Sequence, residues 1–315
     1  MADKKYLTTR VMRDTLKRLN VVIKYNVISN KIAITGLPNF ITDEHSESQL
    51  PVYVKQNLKL SSVKDFSDSD IAGHLANVAL ENQFNPVLDL IRSVVWDEKD
   101  RINEVYDIFC IDSNDKLSQT LIKKWLMQCY ALANNTESSS EGIRAFGADG
   151  VLNLVGPQGL GKTSALRTLA MSDDFFLEGE SINPDNKDSV IQATSVWICE
   201  LGEIGSTMRS NVDHLKAFLT RQIDKFRKPY GRTYLSIARK TSFCASCNDP
   251  RYLLDETGNR RFWTVPVVKI KLEKVLDWQN NPNEVLQLWA QVADIVKRDG
   301  LQSFRLTKDE QSNLA

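Results

Sequence analysis

The sequence predicts an α/β fold with a largely parallel central sheet, because short apolar runs alternate with helical segments over residues 151–267. Helices are expected from about residue 162 and over about 211–226. Ligands of such sheets bind at the carboxyl ends of the strands, so the residues that follow each run are the candidates for a site. The apolar runs are VLNLV at 151–155, FFL at 175–177, VWIC at 196–199, SFCASC at 242–247 and FWTVPV at 262–267.

The residues before this region predict a mainly helical N-terminal part with a small β-hairpin. A helical pattern covers about 7–19, and two β-rich runs then flank the Ser29-Asn30 turn. The polar, Ser-containing stretch NNTESSSEGIRAFGAD indicates a domain boundary near residue 145. The predicted organisation is a small α+β module at 1–80, a helical region at 81–145, an α/β core at 146–270 and a C-terminal helical segment at 271–315.

Composition is that of an ordinary globular protein. Hydrophobic residues make up 42% and charged residues 25% of the 315 residues, which excludes collagen-like and wholly disordered classes. Forty basic side chains balance forty acidic ones, so any nucleic acid must be bound by a local basic patch. Five cysteines do not form a disulfide framework, and no run approaches the roughly 20 apolar residues of a membrane span. We therefore expect a cytoplasmic protein with no membrane partner.

The first apolar run leads directly into a phosphate-binding motif. Residues 156–163 satisfy G-x-x-x-x-G-K-[ST], with a strand before them and a helical pattern after them. In such a loop the backbone N–H groups cradle phosphate oxygens, the lysine reaches the β- and γ-phosphates, and the hydroxyl binds Mg²⁺. The predicted cofactors are therefore ATP and Mg²⁺. The predicted binding residues are Gly156, Pro157, Gln158, Gly159, Leu160, Gly161, Lys162, Thr163 and Ser164.

Carboxylates that can serve this loop follow the VWIC run. Glu200 comes directly after the strand and Glu203 lies three positions later, whereas the commonest arrangement is an adjacent Asp-Glu pair. We expect Glu200 to bind magnesium together with Thr163, and Glu203 to orient the attacking water. Which of the two orients the water stays open, and either could be an ordinary solvated loop carboxylate.

Two further polar groups lie next to strands. Asn248 ends the SFCASC run and is predicted to lie beside the nucleotide, although Asn-Asp-Pro is also a good turn sequence. Arg260 and Arg261 precede the FWTVPV run, where an arginine can stabilise charge on the γ-phosphoryl group, often from a neighbouring subunit. The sequence does not say which of the two has this role.

Residues 214–240 form a basic segment with eight Lys or Arg residues against one acid, Asp224. An amphipathic helix followed by a hairpin, with basic groups interleaved with aromatics, suits a sequence-independent grip on a nucleic acid backbone. The alternative is a solvated charged helix face. The predicted DNA contacts are Lys228, Arg232, Tyr234 and Arg239.

Taken together, these motifs resemble the virulence-associated protein E family. The resemblance covers about residues 82–308 and is most specific over 197–267, where ELGE, LKAFLTRQIDKFRKPYGR and SFCASCNDPRYLLDETGNRRFW keep their order. That family is similar to superfamily 3 helicases of the AAA+ class from phages and mobile genomic islands. The resemblance implies a hexameric ring with ATP sites between subunits, a pore hairpin that grips single-stranded or forked DNA, and replication partners.

The leading functional hypothesis is therefore an ATP-dependent DNA translocase or helicase. An alternative is a nucleotide-gated regulatory or protein-interaction module that does not move DNA. A small-molecule kinase with the same loop is a third hypothesis, but such an enzyme does not need the later Asn and Arg-Arg elements.

Overall fold

The computed structural model describes residues 5–38, 45–61, 63–136, 145–202, 214–227, 234–248 and 259–314. The chain divides into two compact units. The smaller unit contains Met1–Pro86 and Lys225–Ser236, and the larger unit contains Val87–Asp224 and Ile237–Ala315. No helix in the described ranges has the length and apolarity needed to cross a bilayer.

The smaller unit contains the predicted helix and hairpin. Two strands on either side of the Ser29-Asn30 turn pair in antiparallel register, and a third strand pairs in parallel with the first of them. The buried face of this unit includes Met12, Ile23 and Leu75. Its elements are β1 (Lys5–Tyr6), α1 (Thr9–Arg18), β2 (Val22–Asn26), β3 (Lys31–Thr35), α2 (Ser46–Leu60), β4 (Val63–Lys64), α3 (Asp68–Glu81) and β5 (Gln83–Phe84).

The larger unit is built on the predicted sheet of five parallel strands. Each predicted apolar run contributes a strand: β6 (Val151–Val155), β7 (Phe176–Glu180), β8 (Ile198–Leu201), β11 (Ser242–Cys247) and β12 (Phe262–Pro266). The strand order is β12-β6-β11-β8-β7, with every neighbouring pair parallel. The predicted fold class is thus confirmed. Because β11 lies between β6 and β8, the loop after β6 and the residues of β8 approach each other across the end of β11.

Helices cover the sheet. They are α4 (Pro86–Arg92), α5 (Arg101–Ile108), α6 (Lys116–Ala133), α7 (Lys162–Leu169), α8 (Lys187–Ala193), α9 (214–219), α10 (Leu272–Asn280), α11 (Pro282–Asp299) and α12 (Lys308–Ser312). The long helix α6 packs directly on the sheet: Trp125 Nε1 donates to the Phe243 carbonyl at 2.8 Å, and Gln128 Nε2 donates to the Gly150 carbonyl at 2.8 Å. Residues on both sides of position 145 therefore share one core.

The prediction of one helix over about 211–226 is wrong in its second half. Helix α9 ends at residue 219, and β9 (Ile223–Arg227) follows and pairs with β10 (Tyr234–Ala238). Leu215 and Leu219 do lie in the core as the helical pattern requires. Ile223 continues the same spacing, but the strand pairing with β10 requires an extended backbone there and overrides the local periodicity.

Candidate functional site

The phosphate loop, residues 156–163, joins the carboxyl end of β6 to the first turn of α7. The backbone N–H of Gly156 donates to the Cys247 carbonyl at 3.0 Å, and a Cβ on Gly156 would lie 1.9 Å from the Val267 carbonyl oxygen. Only glycine fits at that point. Gly161 caps α7 with a φ of 83°, a left-handed conformation that favours glycine. The loop thus ends at a helix N-terminus, where backbone N–H groups without helical partners can bind an anion.

Lys162 connects this loop to the end of β11. Its side chain is buried, and Nζ donates to the carbonyls of Gly156 at 2.7 Å and Pro157 at 2.9 Å. Nζ also lies 3.3 Å from Oδ1 of Asn248. Burial lowers the pKa of the Lys162 ammonium, and the nearby Glu200 charge acts in the opposite direction. The ammonium therefore lies at the junction of the two predicted site elements.

Glu200 lies beside the phosphate loop because of strand alternation. In β8 its neighbours Cys199 and Leu201 face an apolar core cluster, so the Glu200 side chain is directed to the other face. There Thr163 Oγ1 donates to Glu200 Oε1 at 2.8 Å. Burial raises the pKa of the Glu200 carboxyl, whose side chain is only 2% exposed, while hydrogen bonds from Ser246 and Thr163 act to lower it.

These groups have the chemistry that a Mg²⁺-nucleotide requires. A hydroxyl and a carboxylate offer two oxygen ligands, and Mg²⁺ commonly takes its other ligands from nucleotide phosphates and water. In the described ranges no group of three or more His, Cys, Asp or Glu side chains could hold a metal ion. The pair Thr163 and Glu200 fits a metal that arrives with its nucleotide.

The other predicted loop residues lie around this pair. Pro157, Gln158 and Gly159 are exposed, Leu160 is half-buried, and Gly159 has a φ of 81°. Ser164 Oγ accepts a 3.4 Å hydrogen bond from Gln279 of α10. The exposed loop residues can therefore contact a ligand without first breaking a core contact.

Arg260 and Arg261 lie at the opposite edge of the sheet, which is the end where its parallel strands begin and is called the amino edge below; the end where the strands finish is the carboxyl edge. They precede β12, whose first residue Phe262 pairs with Val151, whereas the phosphate loop follows Val155. Four strand steps of about 3.3 Å separate those two register positions, or roughly 13 Å. The two arginines are thus not brought together with Lys162 of the same chain.

The basic segment is only partly described. Lys228 and Arg232 lie outside the described residues, and Tyr234 is the first residue of β10. Glu203, the predicted water-orienting carboxylate, also lies outside the described residues. Arg239 is 1% exposed, ion-paired with Asp224 and stacked 4.6 Å from the ring centroid of Phe218. The prediction that Arg239 contacts DNA directly does not agree with this placement, because a buried, paired guanidinium cannot reach a phosphate.

Ser246 was not among the predicted site residues. It hydrogen-bonds to Glu200, and its Oγ lies 3.4 Å from Oγ1 of Thr163. Strand alternation carries the signal that could have identified it, because Ser246 is two residues before Asn248 and so lies on the same face of β11.

Comparison with known proteins decides the family. The family of virulence-associated protein E-like domains matches residues 91–315. The chain belongs to this family. The match includes every described residue of the candidate site and leaves out residues 1–90, which contain the first segment of the smaller unit, Met1–Pro86. No curated protein matches the chain.

Two solved structures share the fold of this virulence-associated protein E-like chain. The A-form apo structure of the NrS-1 C-terminal region has a TM-score of 0.52 at 15% identity, with 89% of this chain and 68% of that chain covered. The structure of its residues 305–718 has a TM-score of 0.53 at 15% identity, with 96% and 74% covered. At this identity the likeness shows the fold alone.

Proposed function

We propose that this protein is an ATP hydrolase that couples hydrolysis to translocation on DNA during replication of a phage or mobile genetic element. The observation that carries the proposal is the 2.8 Å hydrogen bond from the Thr163 hydroxyl to the Glu200 carboxylate. It joins a complete G-x-x-x-x-G-K-T loop to an acidic strand residue that is 37 positions away in the sequence. Family membership supports the association with mobile elements.

In this proposal each group at the site has one task. Lys162 binds the β- and γ-phosphates after exchanging its contacts with the loop carbonyls, and the loop N–H groups bind the remaining phosphate oxygens. Thr163 and Glu200 hold Mg²⁺, which would neutralise charge on the phosphate oxygens. Asn248 lies within reach of Lys162 and senses the γ-phosphate. Glu203 remains the candidate that orients the attacking water.

The placement of Arg260 and Arg261 supports an assembly of several copies. They lie at the amino edge of the sheet, roughly 13 Å of strand away from their own phosphate loop. They can act on a nucleotide only if it is held by another copy, as in the predicted hexameric ring. Single-stranded or forked DNA would be bound by Lys228 and Arg232 between β9 and β10.

Steady-state ATP hydrolysis with Mg²⁺ tests the proposal. We expect the wild-type rate to rise when single-stranded DNA is added at low salt, and Lys162→Ala to abolish the rate with and without DNA. Lys187→Ala is the matched control, because this exposed lysine begins α8 and lies outside the candidate site. Hydrolysis that survives Lys162→Ala would contradict the proposal.

A nucleotide-gated interaction module is the second candidate. The burial of Arg239 favours it, because the one predicted DNA contact whose side chain is described does not face solvent. This candidate predicts Lys162-dependent hydrolysis that single-stranded DNA leaves unchanged at every salt concentration.

A further inference from the structure

A pocket of about 280 Å³ opens at the amino edge of the central sheet of the larger unit. Four segments that are distant in the sequence line it. They are the residues before β6, those between α9 and β9, the arginine pair before β12, and the C-terminal segment from Arg305 to Gln311. We call it the arginine pocket. It is separate from the phosphate loop, which lies at the carboxyl edge of the same sheet.

Positive charge exceeds negative charge in this pocket. Among the described residues that line it, Arg260, Arg261 and Arg305 are basic and Asp149 alone is acidic. Asp149 Oδ1 accepts a 3.3 Å hydrogen bond from Arg305 Nη1, and Asp149 Oδ2 accepts one from the backbone N–H of Leu306 at 3.0 Å. The Asp149 carboxylate is therefore shared between two donors, and the described side chains that line the pocket have a net positive charge, as an anion site requires.

Arg305 is held in place but has donors to spare. Its Nε donates to Gln302 at 3.0 Å, and its guanidinium lies 5.4 Å from the Phe304 ring centroid. Within the described part of the chain, the guanidinium group donates hydrogen bonds from Nε and Nη1. Because a guanidinium has five N–H donors, the rest of the group can bind a further anion.

We propose that Arg305 is a phosphate-binding residue that joins Arg260 and Arg261 in receiving the terminal phosphate of a nucleotide held by a second copy of this chain. The inference rests on the proposed function and adds a third arginine, from the C-terminal segment, to its site between copies. Its own chain's nucleotide is out of reach, because the arginine pocket and the phosphate loop lie at opposite edges of the sheet.

The shape of the pocket favours a terminal phosphate over a nucleic acid strand. Three arginines line one concavity, and planar guanidinium groups match a phosphoryl group with several free oxygens. A nucleic acid backbone is instead followed by charges spread along a groove, commonly with aromatic side chains on which bases stack. None of the described residues that line this pocket is aromatic.

Mixed assemblies test the proposal. Alone, Arg305→Ala should hydrolyse ATP at least about tenfold more slowly than wild type, and Lys162→Ala should be inactive. The two variants are then co-expressed with different tags and purified through both tags. In a mixed assembly the intact phosphate loop of one variant meets the intact arginines of the other at about one quarter of randomly formed interfaces. We expect a rate well above that of either variant alone.

Arg298→Ala is the matched control, because Arg298 is exposed on α11 and pairs with Asp299 outside the pocket. A wild-type rate for Arg305→Ala would overturn the inference, and so would a slow Arg305→Ala that mixing does not rescue. A loss of single-stranded DNA affinity with unchanged hydrolysis would assign the pocket to nucleic acid and also overturn it. A wild-type protein without Lys162-dependent hydrolysis would instead overturn the proposed function itself.

Discussion

The two edges of the central sheet handle charge in different ways. At the carboxyl edge, Lys162 donates to Asn248 and to the Gly156 carbonyl, and Thr163 donates to Glu200, so donors and acceptors meet within the protein. At the amino edge, the described residues that line the arginine pocket include Arg260, Arg261 and Arg305 but only one carboxylate, Asp149. The carboxyl edge is nearly self-compensated, whereas the amino edge has charge that calls for an external anion.

In the proposed function the two edges are half-sites of one reaction. A nucleotide bound at the carboxyl edge would bring more negative charge than Lys162 alone can balance, and the arginine pocket of another copy would offer the missing positive charge. Variants that alter one edge should therefore have separable effects on folding, nucleotide hydrolysis and assembly.

The largest expected effect is on folding and concerns the amino edge. Arg239 and Asp224 form a buried ion pair, so Arg239→Ala leaves an uncompensated buried carboxylate and should lower the free energy of unfolding by about 3–5 kcal/mol. Urea denaturation measures this change. Lys225→Ala, at an exposed neighbouring position, is the control and should leave the unfolding curve in place. A stable Arg239→Ala with weaker DNA binding would return Arg239 to the group of DNA contacts.

The second effect is on chemistry at the carboxyl edge. Glu200→Gln keeps the size of the side chain but removes the charge that would hold Mg²⁺, so the rate of ATP hydrolysis should fall by about 100-fold or more. Glu180→Gln is the matched control, because Glu180 ends the next strand, β7, and burial raises the pKa of its carboxyl as well. Equal losses in both variants would show that a general property of the sheet edge, and not Glu200, is responsible.

The same variant predicts a pH dependence of stability. Burial raises the pKa of Glu200 above its ordinary value of 4.5, so folding is favoured when this carboxyl is protonated. The contribution of the protonated Glu200 carboxyl to the free energy of unfolding is fully present below pH 4.5 and is lost as the pH rises through the raised pKa. In metal-free buffer Glu200→Gln should therefore have a higher Tm than wild type at pH 8, and the difference should shrink toward pH 5. A difference that grows at lower pH would contradict the burial argument.

The carboxyl edge could be predicted from the sequence far better than the amino edge, and the reason is physical. The phosphate loop is local in sequence, and Glu200 and Asn248 follow apolar runs whose strand character is clear. The arginine pocket is assembled from four distant segments, and no local pattern marks Arg305 or Asp149 as neighbours. The burial of Arg239 could not be predicted, because its charge is visible in the sequence whereas its ion pair with Asp224 forms only in the fold, where β9 pairs with β10.

A smaller expected effect is the difference in stability loss between alanine substitutions at two glycines of the phosphate loop. Gly156→Ala forces a Cβ against the Val267 carbonyl and should lower the free energy of unfolding by about 2–3 kcal/mol, with loss of nucleotide binding. Gly159→Ala meets no atom within 4 Å and has only the strain of its left-handed φ of 81°, or about 1 kcal/mol. Thermal unfolding and binding of a fluorescent ATP analogue measure both. Equal losses of stability would mean that backbone strain, and not the contact with Val267, determines how stable the loop is.

The smallest effect concerns DNA. Replacing Lys228 and Arg232 with alanine should reduce the affinity for single-stranded DNA severalfold and lower the slope of log Kd against log salt by about one for each residue that contacts a phosphate. Hydrolysis without DNA should be unchanged, because neither residue has a role in the proposed nucleotide site. Arg305→Ala is the contrasting variant: if the arginine pocket receives a nucleotide, this variant keeps the wild-type salt slope and loses hydrolysis. The same salt slope change in both variants would mean that the amino edge and the segment between β9 and β10 bind one DNA strand together.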